Sequence, residues 1–282
     1  MEKIYEKHLT GERALFKQEN TEIYYSTFSD GESPLKESSN IIIDNCSFKW
    51  KYPLWYSNNI KVTNSVLTDT ARSGIWYTNN ITIENSLIEA PKTFRRSTNI
   101  KLINTPLPNA LETFWNCDKI DLTNVTAKGD YFCFNSKNII IENLTLFGNY
   151  SFDGAKNIEI RNSKLLSKDA FWNAENVTVY NSYISGEYLG WNSKNITFIN
   201  CTLESLQGMC YIDNLVLINC KTINTTLAFE YSSVNAQITG SIDSILNPAK
   251  GMITADKIGK LIFEDDKIDP TKTTIIEVEK NV

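Results

Sequence analysis

Asparagine returns along this chain at a nearly constant interval, and each time it opens the same local pattern. The anchors are Asn20, Asn40, Asn59, Asn80, Asn99, Asn138, Asn157, Asn176, Asn195 and Asn214, with Lys119 in the one gap, at intervals of 19 to 21 residues. A fixed period of this length marks a solenoid, in which each repeat buries its apolar face against its neighbours. After each anchor, apolar and polar residues alternate, as in Ile41 and Ile43, Ile60 and Val62, Ile81 and Ile83, or Val177 and Val179. Period two with β-branched residues predicts a strand with one buried face. Five residues beyond each anchor from Asn40 onward stands a second asparagine, from Asn45 and Asn64 to Asn200 and Asn219. Asparagine tolerates left-handed backbone and bonds its own chain at bends, so these positions predict corners. Stacking would then align the amides into ladders.

A second short strand follows in register, with Phe48, Leu67, Ile88, Leu146, Leu165, Ile184 and Leu203, and a third precedes the next anchor. Three short strands per coil predict an all-β chain, a right-handed parallel β-helix. The hexapeptide period of left-handed helices is absent, and parallel crossovers are right-handed as a rule. A leucine-rich repeat has a similar period, but Ile and Val dominate here and no segment has helical length. The expected organisation is one domain over 1–282. Regular coils run from 10 to 233, final irregular coils or a cap occupy 234–269, and 270–282 form a peripheral tail.

Counting back from each anchor separates an inner column from an outer one. Five residues before lie Leu35, Leu54, Ile75, Phe94, Phe114, Cys133, Phe152, Phe171 and Met209, a nearly continuous apolar line that should face the core. Four before lie Trp55, Trp76, Arg95, Trp115, Phe134, Asp153, Trp172 and Trp191, with Glu230 next. A stacked column holding Arg, Asp and Glu cannot face a dry interior, because unpaired buried charge is too costly. The tryptophans are therefore expected on an exposed strip. Seven and eight before the anchors gather Arg72, Lys92, Glu112, Asp130, Tyr131, Tyr150, Lys168, Asp169, Glu187 and Tyr188. Strict alternation would bury Lys92, Glu112 and Asp169. Pro34, Pro53 and Gly74 suggest instead a bend that turns both columns into one trough. The plainer alternative is an aromatic ladder that stacks only for stability, beside ordinary solvated charges.

Composition excludes several function classes. The net charge of −5 disfavours a general nucleic-acid binder. No apolar run reaches membrane-spanning length, and the start "MEKIYEKHLTGE" lacks the apolar stretch of a secretory leader, so a cytoplasmic protein is expected. The single His8 leaves no multi-histidine metal site, and no metal is expected. Six cysteines without a C-x-x-C pair are expected to be reduced, including Cys201 and Cys220 on adjacent coils. Neither a P-loop nor a Rossmann glycine pattern occurs. Nothing in the sequence names a cofactor.

The phrases "GERALF", "GESPLKES", "FKWKYPLWY", "RSGIWYT", "GDYFCFNS", "SKDAFW" and "SGEYLGWNS" resemble an uncharacterised bacterial family of unknown function with a pectate-lyase-like β-helix. The resemblance covers most of the chain and implies the fold, but supplies no reaction and no catalytic residues. The polygalacturonase set of Asn-Thr-Asp, Asp-Asp and Gly-His-Gly is missing, and so is the R-x-P-x-x-R of pectate lyases.

Two classes of function follow. One is a carbohydrate-active or carbohydrate-binding protein taking an oligosaccharide, an acidic one by preference, or another small polar ligand. Trp55, Trp76, Trp115, Tyr131, Phe134, Trp172, Tyr188 and Trp191 would offer ring faces to sugars, with Arg72, Arg95 and Glu230 adding polar contacts. Glu112, Asp130, Asp153, Asp169 and Glu187 are the acid and base candidates for hydrolysis, and Lys92 is a base candidate for a lyase. The other class is a non-catalytic structural or interaction solenoid whose aromatic strip joins a homo-oligomer.

Overall fold

The computed structural model describes residues 1–264 and 266–278. The chain divides into two compact units, Met1–Leu146 and Phe147–Val282. Each is a parallel β-solenoid. No α-helix is formed among the described residues, and no helix is long and apolar enough to cross a membrane.

In the first unit, the first coil contributes β1 (Glu2–Tyr5) and β2 (His8–Thr10), and the second contributes β3 (Glu19–Tyr24) and β4 (Thr27–Ser29). One side of the solenoid stacks β1, β3, Ser39–Asp44, Asn58–Thr63, Asn79–Glu84, Thr98–Ile103 and Asp118–Lys128, every pair parallel. Equivalent repeat positions meet directly, so Ile43 faces Val62 and Val62 faces Ile83. A second side stacks β2, β4, Ser47–Phe48, Val66–Leu67 and Leu87–Ile88. The third side is a strand at Ile75–Trp76 and Phe94–Arg95, and a run of turns in the other coils. Its coil-to-coil bonds continue through the turns, as in Leu35 N–H to the Pro53 carbonyl at 3.0 Å and Leu54 N–H to Gly74 at 2.9 Å.

The second unit repeats the plan. Lys156–Arg161, Glu175–Tyr180, Lys194–Ile199, Asp213–Thr226, Ser233–Ile238, Lys250–Ala255 and Thr273–Glu277 stack in that order. Lys164–Leu166, Tyr183–Ser185 and Thr202–Leu206 form its second side.

The inward columns are dry. Ile43, Val62, Ile83 and Leu102 are fully buried, and so is the inner column of Leu54, Ile75, Phe94 and Phe114. Phe28 stacks on Phe48 at 4.6 Å and Phe94 on Phe114 at 4.7 Å. The predicted corners are left-handed: Asn40, Asn45, Asn59 and Asn64 have φ between 50° and 56°. That conformation costs an L-residue roughly 1–2 kcal/mol and least for Asn. The amide ladders help to offset it, with Asn40 donating to Asn20 at 3.0 Å, Asn59 to Asn40 at 2.7 Å, and Asn124 to Asn104 at 2.9 Å.

Buried hydroxyls form a further ladder that the sequence reading did not isolate. Ser57 N–H donates to Thr78, Thr78 N–H to Ser97 at 3.1 Å, and Cys117 N–H to Ser136 at 2.9 Å. The hydroxyls pass the bond on to carbonyls one coil back, as Ser97 Oγ does to Ile75 at 3.0 Å. Ser38, Thr78, Ser97 and Ser136, each two places before an anchor, thus satisfy corner amides that the strands leave open, whereas Ala155, Ala174 and Ile212 stand at that place in later coils.

Three boundaries differ from expectation. Stacking starts at Glu2 and not near Thr10, because Met1 and Glu6 occupy the two asparagine positions and hide the register. Regular parallel strands continue beyond 233, although the asparagines do not. Thr273–Glu277, in the expected peripheral tail, pairs in register with Gly251–Ala255. The last four positions of that tail lie outside the described residues.

Candidate functional site

The bend inferred from Pro34, Pro53 and Gly74 is present, and its residues are specific. Seven places before the anchors, Ser33, Tyr52, Ser73, Lys92, Glu112 and Tyr131 in the first unit all have left-handed backbone, with φ between 51° and 60°. In the second unit Tyr150, Asp169 and Tyr188 do the same at 54° to 57°. This kink breaks the strand alternation, so the seventh column escapes the core side. Lys92 and Glu112 reach solvent with side-chain exposures of 42% and 23%. Asp169 does not, and is 4% exposed. Its expected place in an open trough is therefore corrected: the neighbouring coils close over its short side chain.

Ten candidates fall in the first unit: Trp55, Arg72, Trp76, Lys92, Arg95, Glu112, Trp115, Asp130, Tyr131 and Phe134. The tryptophans are half-buried and lie flat along the stack. Trp55 and Trp76 are 5.2 Å apart and nearly parallel, at 8°. Next comes Arg95, its guanidinium 4.5 Å from the Trp76 ring and 4.7 Å from Trp115, so it is sandwiched between two indoles. Trp115 then meets Phe134 at 5.0 Å and Tyr131 edge-on at 6.2 Å. Each indole N–H donates to a backbone carbonyl of the next coil: Trp55 to Ser73, Trp76 to Lys92 at 2.9 Å, and Trp115 to Tyr131 at 2.9 Å. The acceptors are all residues of the left-handed kink. The indoles thus cap the carbonyls that the kink frees.

Charge in this stretch is compensated locally. Glu112 Oε2 lies 3.0 Å from Lys92 Nζ and 3.3 Å from Arg95 Nη2. Glu112 and Asp130 sit on adjacent coils as expected, joined by Glu112 N–H to the Asp130 carbonyl at 2.9 Å. Arg72 is exposed.

Seven candidates belong to the second unit: Asp153, Asp169, Trp172, Glu187, Tyr188, Trp191 and Glu230. Trp172 and Trp191 are 6.3 Å apart and tilted by 41°, a looser stack than Trp55 and Trp76. Tyr188 packs on Trp191 at 5.2 Å, and Lys168 Nζ sits 5.3 Å over the Tyr188 ring. Lys168 also pairs with Glu187 at 3.2 Å. Glu230 accepts from Gln207 at 3.3 Å.

Asp153 accepts from the Asn173 amide at 3.0 Å. Burial still pushes its carboxyl above the usual aspartate value, with the Asn173 bond pulling the other way. Asp169 is pushed up as well, first by burial. Lys168 opposes that shift, and the charges of Glu187 and Asp153 add to it. Both carboxyls are thus held above the ordinary aspartate value, first by burial.

Asn173 escaped the sequence reading: Asn192 and Asn173, each three places before its anchor, form a third amide ladder at 2.7 Å, and Asn173 passes the bond on to Asp153, four places before its own anchor. His8 is exposed. It lines a shallow cavity of about 400 Å³ with Glu6, Lys7, Tyr25, Thr27 and Lys49, and its Nε2 is 2.6 Å from Ser29 Oγ. Among the described residues, no group of His, Cys, Asp or Glu is arranged to hold a metal.

No curated protein matches the chain. Among solved structures, full-length QnrB1, a plasmid-mediated fluoroquinolone resistance protein, aligns at 17% identity over 70% of this chain and 94% of its own, with a TM-score of 0.35. PfbA, a surface adhesin of Streptococcus pneumoniae, aligns at 12% identity over 88% of this chain and 71% of its own, also at 0.35. The family model for a protein of unknown function, DUF3737, matches residues 2–276, and the chain belongs to that family.

Proposed function

We propose that the protein is a non-catalytic interaction solenoid. One observation carries this reading: the ring faces of the outer aromatic column are already covered. In the first unit Trp55 lies on Trp76, Arg95 fills the space between Trp76 and Trp115, and the indole nitrogens of these three tryptophans are bound to backbone. Sugar recognition by stacking needs an open face, and this column offers edges. The candidate ions are likewise engaged, Glu112 by two bases and Glu187 by Lys168. Six buried, unpaired cysteines fit a reducing compartment such as the cytoplasm.

A second reading, an acidic-oligosaccharide enzyme on the pectate-lyase-like pattern, is favoured by one feature. Asp153 and Asp169 are neighbouring carboxyls whose pKa values rise together, as acid catalysts require. Calorimetry and product analysis over neutral and uronate-containing oligosaccharides separate the two. The interaction reading expects no products and no loss of affinity in Arg95→Ala. Products that vanish in a folded Asp169→Asn variant would replace it with the enzyme.

A further inference from the structure

Position for position, the second unit holds two carboxyls where the first holds a carboxyl and a cation. Glu112 and Asp169 each stand seven places before an anchor. Arg95 and Asp153 each stand four places before the anchor one coil earlier. In the first unit Arg95 reaches Glu112 at 3.3 Å, with its guanidinium 4.5 Å and 4.7 Å from two indoles. In the second unit Asp153 takes the place of that arginine, and its charge bears on Asp169 instead of relieving it.

Asp169 is left without a counterpart. It is 4% exposed, and among the described residues no hydrogen bond or ion pair reaches its carboxyl. Lys168, its neighbour in the chain, pairs with Glu187 at 3.2 Å and lies over the Tyr188 ring at 5.3 Å. A buried carboxyl without a partner is costly, so one is paired as a rule. Asp153 is half-buried, and the pair therefore opens towards solvent on its side.

The aromatic frame of the first unit is kept around this pair. Tyr150 and Tyr188 share the column of Asp169, one coil to either side. Tyr150 lies 6.4 Å from Trp172, and Tyr188 lies 5.2 Å from Trp191. Trp172 and Trp191 are tilted by 41°, and among the described residues no cation lies over either ring. Carboxyls beside indole and phenol rings match a flat cation, because a guanidinium donates as a fork to carboxylates and stacks on aromatic faces. A metal ion fits less well, since among the described residues no group of His, Cys, Asp or Glu is arranged to hold one.

We propose that Asp153 and Asp169 bind the guanidinium of a ligand against the tryptophan and tyrosine rings of the second unit. This rests on the interaction-solenoid reading and names the partner's chemistry, an alkylguanidinium. It can come as a free small molecule or as an arginine side chain of another protein.

Ethylguanidinium titrated into the full chain, followed by NMR of the indole N–H resonances, tests it. The chain has six tryptophans. Two resonances, assigned with Trp172→Phe and Trp191→Phe, are expected to shift and to saturate in the millimolar range. Asp169→Asn, with its unfolding transition intact, is expected to bind at least about tenfold more weakly, the loss of one charge-assisted contact. An acetylated Gly-Arg-Gly amide separates the two sources. Affinity about tenfold above ethylguanidinium assigns the site to an arginine of a partner protein, and equal affinity assigns it to a free guanidine. No saturable shift up to about 50 mM overturns the proposal, since binding weaker than that is not a site. Shifts that persist unchanged in Asp169→Asn overturn it as well. So does butylammonium or calcium moving the same resonances at equal concentration, which removes the preference for a guanidinium. None of these outcomes reads turnover, so the non-catalytic reading stands or falls on its own product analysis.

Discussion

The outer columns follow one plan in both units and handle charge in opposite ways. In the first, Glu112 is met by Lys92 and Arg95, and Arg95 is held between two indoles. In the second, Asp169 is buried in the same column as Glu112, and Asp153 occupies the place of Arg95 with an amide for company. Burial then pushes both aspartates upward. Column position therefore determines where a side chain points. The neighbours one coil away determine whether its charge is tolerated.

The largest effect should come from crossing the boundary between inner and outer columns. Ile83 is fully buried between Val62 and Leu102. Ile83→Asp places an unpaired charge there and is expected to cost more than about 4 kcal/mol. Chemical denaturation should show loss of the cooperative transition. A melting temperature within a few degrees of wild type would break the distinction between the columns.

Arg95 tests the compensated stretch. Arg95→Ala removes a partner of Glu112 and opens the gap between Trp76 and Trp115. The expected loss is about 2 kcal/mol, from two partly desolvated cation–π contacts and one ion pair. Arg95→Lys keeps the charge without the flat stack and should recover less than half. If the lysine variant matches wild type in urea titration, the sandwich contributes little and the first unit's distinction is charge alone.

A smaller effect is expected at the exposed amide ladder. Asn143 has φ 58° and donates to Asn124 at 2.8 Å. Asn143→Ala should cost about 1–2 kcal/mol, mostly from the left-handed backbone. Asn143→Gly relieves that backbone cost and should leave roughly 0.5–1 kcal/mol for the lost bond. Equal losses for Ala and Gly would mean that the hydrogen bond, and not the backbone conformation, is what the asparagine supplies.

Much of this arrangement was legible because a parallel solenoid repeats its environment. One residue type recurring at one position reports that position's burial and backbone angle many times over. The period marked out the strands, the inward columns and the corners. Charged residues in the fourth column, such as Arg95 and Asp153, showed that it could not be core. Legibility failed where the marks were missing or where contacts depend on neighbours. Met1 and Glu6 replace asparagine in the first coil, so its strands were not counted. The indoles were expected to show faces because a column gives direction but no ring plane. The plane follows from coil spacing and from N–H bonds to the kink carbonyls. Asp169 shares its column with the solvent-reaching Lys92 and Glu112, and only its short side chain among closing neighbours separates it from them.

The smallest expected effect is the one that most sharpens the comparison between units. Asp169→Asn keeps the size of the side chain and suits the φ of 54° as well as aspartate does. Since burial raises the folded-state pKa of Asp169, the folded protein binds that proton more tightly than the unfolded chain. The stability this provides is fully present below the unfolded pKa and is lost as pH rises through the folded one. At neutral pH the wild type thus carries a buried charge that the variant lacks, so Asp169→Asn is expected to be the more stable there. Below the usual aspartate range both side chains are neutral, and the two unfolding curves should converge. Urea titrations from about pH 3 to about pH 8 would trace the difference across the aspartate range. A variant less stable than wild type at neutral pH would mean that the charged form of Asp169 is stabilised by its surroundings. The second unit would then be compensated like the first, and the contrast between them would disappear.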